Sequence, residues 1–289
     1  MLCETVEACL WVTGTTKDGQ HIKVLGRKPT YTYRRALEAD IKAKGEKLVH
    51  AFNPAADSSF DQKNNYAVGL IYLGRTDEAI QLLEKLEKEE PGSYFAAANL
   101  GTAYELSGRN SEALRWIQES IRRNTNSHYG TEWVHVKILE AKVQHEKDPA
   151  YFDTHSVIGI DPNQAKSWES EFTIAGQKRT VHQICEAIDY QLLERLQFVR
   201  GKDPGVASLL FDRALLEAAA QTLESAAEVL NVAADFGYPR SRIDPLLAQY
   251  SRTIAHARVR QIIFWVSLAI TAVALLVYAH RRSRRRAAA

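Results

Sequence analysis

NNYAVGLIYLGRTDEAIQLLEKLEKEEP, residues 64–91, returns 34 positions later as ANLGTAYELSGRNSEALRWIQESIRRNT, residues 98–125. Asn65 falls on Asn99, Gly74 on Gly108, Arg75 on Arg109, Glu78 on Glu112 and Ala79 on Ala113. A period near 34 residues marks units of two helices joined by a turn. Such a unit cannot bury its apolar face alone. Units stack side by side, and the stack presents an extended concave surface.

The second copy shows why. Leu100, Ala103, Tyr104 and Leu106 recur at helical spacing, so one face of its first helix is apolar. Gly101 removes a side chain where the partner helix must come close. Gly108 stands where the first helix ends, a place that favours a left-handed residue. Ala113, Ile117 and Ser120 then form a narrow stripe on the second helix, matched by Ala79, Leu83 and Leu86 in the first copy, and Pro91 stops that copy. Glycine inside a helix costs about 1 kcal/mol against alanine. Its recurrence with small residues at a fixed offset therefore points to close helix packing.

These positions resemble the tetratricopeptide repeat (TPR) family. Leu100, Gly101, Tyr104, Gly108, Ala113, Ile117 and Ser120 occupy its motif in one copy; Tyr66, Ala67, Leu70, Gly74, Ala79, Leu83, Leu86 and Pro91 do so in the other. Lys63, Ala97 and Thr125 depart from it. More loosely, the stretch ACLWVTGTT, the repeats and HYGTEWVHVKILEAK resemble uncharacterised bacterial TPR proteins, which begin with an export signal just before the Ala-Cys-Leu segment. That likeness implies no activity. The TPR resemblance implies an all-α solenoid whose first helices line a concave groove. By position the groove residues are Asn64, Asn65, Val68, Phe95, Asn99, Thr102, Tyr129, Trp133 and Val136. Asn65 and Asn99 could bond a peptide backbone or tie neighbouring helices together. Tyr129 and Trp133 stand where the family's carboxylate clamp would place cations, so the resemblance implies an internal peptide segment as ligand.

Outside the two copies the pattern changes. Residues 1–58 hold a hairpin signal, Asp18-Gly19 between β-prone flanks over residues 13–24, then a short helix over 33–44, together a cap for the first repeat. The solenoid is expected over 59–146, with repeats 60–93 and 94–127 and a following helix over 128–144. Residues 147–180, with Pro149, Gly159, Pro162 and Gly176, read as an irregular insertion. Helix returns over 181–199. Residues 203–239 look like a worn repeat inside a 181–240 helical segment, with Ala214, Ala226, Leu230 and Ala233 on the small-residue stripe but no glycine between the helices.

After a juxtamembrane stretch, 241–261, comes IIFWVSLAITAVALLVYA, residues 262–279, 18 positions without a charge. At 1.5 Å per residue it reaches about 27 Å, close to a hydrocarbon core. Trp265 and Tyr278 lie near its ends, and the basic tail 280–289 follows with Arg281, Arg282, Arg284, Arg285 and Arg286. The expectation is a single-pass anchor. The arginine count puts the tail in the cytoplasm and the domain outside, in the periplasm; a tail-anchored protein with its domain inside is the alternative. Residues 1–14 lack a basic start, and Glu4 and Glu7 interrupt their apolar run, so an export signal would have to lie upstream.

The net charge is only +2, and five of the 37 basic residues sit in the tail. No basic stripe of the kind a nucleic-acid binder needs is visible. Cys3, Cys9 and Cys185 are odd in number and lack C-x-x-C spacing. His128, His135 and His145 share a helical region without the tight carboxylate spacing of a zinc site. G-x-S-x-G, P-loop and G-x-G-x-x-G motifs are absent. The expectation is a membrane-anchored scaffold that holds a protein or peptide partner, without catalysis, cofactor or metal. One alternative is a structural subunit of an envelope complex that uses its convex face. Another is a metal enzyme built around Asp153, His155 and Asp161.

Overall fold

Helix pairs stack where the repeat spacing puts them. The structure is a computed structural model that describes residues 11–25, 29–53, 59–161 and 163–287. Expectations resting on Cys3, Cys9 and the first ten residues lie outside the described residues. The described chain forms twelve α-helices and two small hairpins.

The first repeat is α3 (Phe60–Tyr72) and α4 (Thr76–Glu89); the second is α5 (Tyr94–Leu106) and α6 (Asn110–Arg123). Their turns are built alike. Gly74 and Gly108 take φ of 73° and 79°. The next amide closes each turn back on its helix, Arg75 N to Leu70 O and Arg109 N to Tyr104 O, both at 2.9 Å. Each of these arginines then grips the glutamate three residues on, Glu78 at 2.7 Å and Glu112 at 2.9 Å. The small-residue seam is dry: Ala79, Leu83, Ala113, Ile117 and Ser120 are all 0% exposed. Each large side chain buried there stabilises the stack by about 1.5–3 kcal/mol.

On the N-terminal side β1 (Trp11–Thr15) and β2 (His21–Leu25) form the hairpin that Asp18-Gly19 signals, with Gly19 at φ 79°. Helices α1 (Pro29–Glu38) and α2 (Ile41–His50) follow, separated at Asp40, whose carboxylate caps α2 through Ala43 N. The chain thus breaks once within the short helix read from residues 33–44. Gly45 of α2 faces Gly69 of α3; a Cβ on Gly45 would stand 3.0 Å from the Gly69 carbonyl. Helix α2 therefore lies flush on the first repeat.

A second core joins α7 (Glu132–Lys147), α9 (Val181–Arg195), α10 (Pro204–Ala220) and α11 (Leu223–Asp235). Helix α1 docks on it: Tyr33 donates to Asp189 at 2.5 Å, and Asp189 also accepts from Arg213, whose other nitrogen reaches Glu217 at 2.7 Å. Ala214, Ala226, Leu230 and Ala233 are wholly buried between α10 and α11. Residues 147–180 hold the short α8 (Tyr151–Thr154) and a hairpin, β3 (Glu171–Ile174) with β4 (Gln177–Thr180). The irregular expectation missed that hairpin because its turn is Ala175-Gly176, at φ 50° and 75°, and alanine gives no hairpin signal.

Helix α12 (Arg240–Ala287) runs for 48 residues. Ile243, Tyr250 and Ala257 bury its first turns in the domain, and residues 262–279 stand fully outside it. It is long and apolar enough to cross a membrane.

Candidate functional site

A cavity of about 300 Å³ opens on the inner side of the repeats, between α3, α5, α7 and α9. One wall is apolar, with Val68, Ile71, Leu106, Phe198 and Val199; the other carries Glu105, His135, Lys142 and Arg195. Glu105 is the one charged residue of α5, on a helix otherwise made of small, apolar and neutral polar residues. Its carboxylate meets Arg195 at 2.5 and 3.0 Å, Lys142 at 2.8 Å and His135 Nε2 at 2.8 Å. Lys142 also reaches Asp203 at 3.2 Å. His135 Nδ1 lies 3.4 Å from Glu132, which a second histidine, His128, meets at 3.0 Å.

Burial alone would raise the Glu105 pKa; the charges of Arg195 and Lys142 and the His135 hydrogen bond overcome that and hold it well below the carboxylate range. Burial would likewise discharge His135, but Glu132 and Glu105 outweigh it and raise its pKa. The hydrogen bond to Glu132 raises that of His128. The floor is thus a set of fixed, mutually neutralising charges. Elsewhere Cys185 is buried, which pushes its thiol up to about 12 and leaves it inert.

The chain itself bridges the inner face. After Arg195 has met α5, Phe198 stacks on Tyr72 of α3 with ring centres 5.3 Å apart. Gln197 then accepts from Lys44 of α2 at 3.0 Å, and Arg200 donates to the Ala39 carbonyl at 2.9 Å. Residues 195–200 run across successive inner helices toward the N-terminal end of the stack. The cavity is what this crossing leaves open.

Residues 70–131 match a family model described as tetratricopeptide repeat. Residues 70–131 carry tetratricopeptide repeat sequence. The crystal structure of a tetratricopeptide repeat protein from Parabacteroides merdae ATCC 43184 is similar at 13% identity and a TM-score of 0.32, covering 78% of this chain and all of that one. No curated protein matches the sequence. Tetratricopeptide repeats generally mediate contacts between proteins, and their proteins are typically scaffolds rather than enzymes.

Of the groove positions carried over from the TPR motif, Val68, Asn99 and Thr102 line the cavity. Asn99 donates to Asn64 at 2.9 Å, tying α5 to α3, whereas Asn65 points to solvent. Phe95 is exposed and rests on Tyr94; Tyr129 is 79% exposed, edge-on to Tyr190. Trp133 and Val136 instead line a second cavity with Ile121 and Arg179, the guanidinium of Arg179 lying over the Trp133 ring. The reason is the turn before α7. His128, Tyr129 and Gly130 all take left-handed conformations, and α7 starts at Glu132 instead of His128, where a 34-residue step from Tyr94 would begin it. That late start turns His135 and Lys142 into the groove.

Glu105, His135, Lys142 and Arg195 were not anticipated as groove residues. The lone carboxylate of α5 is the signal that could have found them. In the insertion, His155 stacks on Tyr151 and lines a cavity of about 480 Å³ with Asp161, and the Asp153 carbonyl accepts from Arg242. Among the described residues no three His, Cys, Asp or Glu side chains come together as a metal cluster.

Proposed function

We propose that this protein is a membrane-tethered scaffold that holds a partner protein on the inner face of its repeats, at the cavity beside residues 195–200. The observation that carries the reading is that cavity: an apolar wall and the polar side chains of Asn99 and Thr102, over a charged floor held rigid by ion pairs. A preformed surface loses little entropy on binding. Because the chain's own segment fills part of the face, the partner contributes a short element, an extended segment or a helix end. The exposed rings of Phe95 and Tyr129 are further contact points at motif positions of the same inner face.

Residues 262–279 are the proposed membrane anchor, and the arginines after them favour a cytoplasmic tail with the repeats outside. Val68→Arg with Thr102→Arg fills the cavity from surfaces that are already partly exposed. The wild-type full chain in nanodiscs should retain a partner that the variant loses, with helicity unchanged. Equal capture by both proteins would remove the groove from the proposal. Protease accessibility in intact cells tests the orientation.

A further inference from the structure

The hairpin β1–β2 and the apolar run of α12 nearly meet. Arg260 donates from Nη2 to the Gly19 carbonyl at 2.8 Å. A Cβ placed on Gly19 would be 3.6 Å from the Thr253 methyl, and Ala257 is buried between these contacts. The hairpin turn thus sits on the last turns of α12 before Ile262, where the uncharged run starts. From Ala257 to Ile262 is about 7.5 Å along a helix axis. A polar headgroup layer is about 5–8 Å deep on each side of a bilayer. With the run in lipid, the turn lies at headgroup level.

Lys17, Arg252 and Arg258 are exposed, and none has a carboxylate partner among the described residues; Lys17 touches only Asn163, at 3.4 Å. In the repeats, by contrast, Arg75, Arg109, Arg122 and Arg123 each hold a glutamate. The one acid in the turn, Asp18, is engaged by Thr16 and Gln20.

We propose that the hairpin tip with Arg258 is a second membrane contact that binds anionic phospholipid headgroups. Basic side chains beside a spanning helix are drawn to such a surface. One helix leaves the domain free to roll about its axis, and a contact set off that axis stops the roll. The repeats are then held at one tilt to the bilayer with a fixed inner face. This rests on residues 262–279 as the anchor.

The test uses the full chain in vesicles of pure phosphatidylcholine and in vesicles containing phosphatidylglycerol, read by flotation and by amide hydrogen exchange. Flotation in both is expected. Exchange over residues 16–20 should slow at least about fivefold with phosphatidylglycerol. The exposed double variant Lys17→Glu and Arg258→Glu should float equally and lose the slowing. Flotation in both lipids with equal exchange overturns the proposal and leaves the anchor standing. Failure to float in either lipid overturns the anchor and the proposal with it. Slowing by an added RNA oligonucleotide in phosphatidylcholine, and none by phosphatidylglycerol, overturns it in favour of nucleic acid.

Discussion

Arg195 grips both carboxylate oxygens of Glu105, Nη1 to Oε1 at 2.5 Å and Nη2 to Oε2 at 3.0 Å, with both side chains almost wholly buried. The pair fastens α9 to the inner face of the second repeat, and the crossing segment 195–200 starts from it. Removing one member of a buried pair leaves an uncompensated charge and costs about 3–5 kcal/mol. Arg195→Ala is therefore expected to lower the urea midpoint of the full chain in detergent by a matching amount. Arg195→Met with Glu105→Leu should recover part of the loss, because the two charges leave together while Lys142 keeps Asp203 at 3.2 Å and His135 keeps Glu132 at 3.4 Å. Equal loss in the single and double variants would show that packing, not charge, holds the segment.

Gly101 and Ile117 fix the spacing of the second helix pair. A methyl on Gly101 would come within 2.4 Å of Ile117 Cδ1 and 2.5 Å of its Cγ1. Gly101→Ala should thus destabilise by about 1–3 kcal/mol through overpacking, despite alanine's better helix propensity. Ile117→Ala alone opens a cavity and costs about 2–5 kcal/mol. The double variant should lose less than the sum, since the new methyl occupies space that the isoleucine vacated. Additive thermal shifts would break the proposed contact.

How much of this was legible follows from the physics of each part. The repeats were readable because Gly74, Gly108, Ala79 and Ala113 answer to local geometry, a left-handed turn and a close seam, and local geometry recurs with the period. The hairpin at Asp18-Gly19 was readable for the same reason. The inner face was only half readable. Val68, Asn99 and Thr102 line the cavity, but Trp133 and Val136 turn away because His128 and Tyr129 adopt left-handed conformations that their residue types do not announce. Arg195 lies 90 positions from Glu105. A contact at that separation leaves no periodic trace, so the crossing segment and the charged floor emerge only from the tertiary fold.

The floor also makes stability depend on pH in both directions. Burial opposes the charge on Glu105, and Arg195, Lys142 and His135 more than offset it, so its folded pKa is depressed. Its stabilisation is present above the unfolded value near 4.5 and is lost as pH falls through the folded one. His135 is opposed by burial and by Arg195 but raised overall by Glu132 and Glu105. Its contribution is complete below about pH 6.5 and fades as pH rises through the folded value. Thermal midpoints should therefore fall on the acid side of pH 4.5 and again above pH 6.5. His135→Gln, which keeps a donor toward Glu105, should abolish the alkaline fall contributed by this residue. An unchanged alkaline limb would assign it elsewhere.

Asp212 gives a separate pH signature in the second core. It is buried on α10; its Oδ2 accepts from Ile158 N at 2.9 Å, while Ser208 nearby accepts from Val157 N at 3.3 Å, so the two pin the loop after α8. Burial pushes its carboxyl up to about 7, only partly countered by hydrogen bonds from Ile158 and Ser156 and by the charge of Arg242. Its folded pKa thus exceeds the unfolded value of 3.8. The folded state holds the proton longer, and the stability this group supports declines as pH rises between about 4 and 7. Asparagine keeps the acceptor for Ile158 N and carries no proton to lose. Asp212→Asn should match the parent protein at low pH and exceed it at pH 8 in urea unfolding, flattening the slope between. Parallel curves for the two proteins across that range would mean that the carboxylate is ionised throughout and that Arg242 dominates its surroundings.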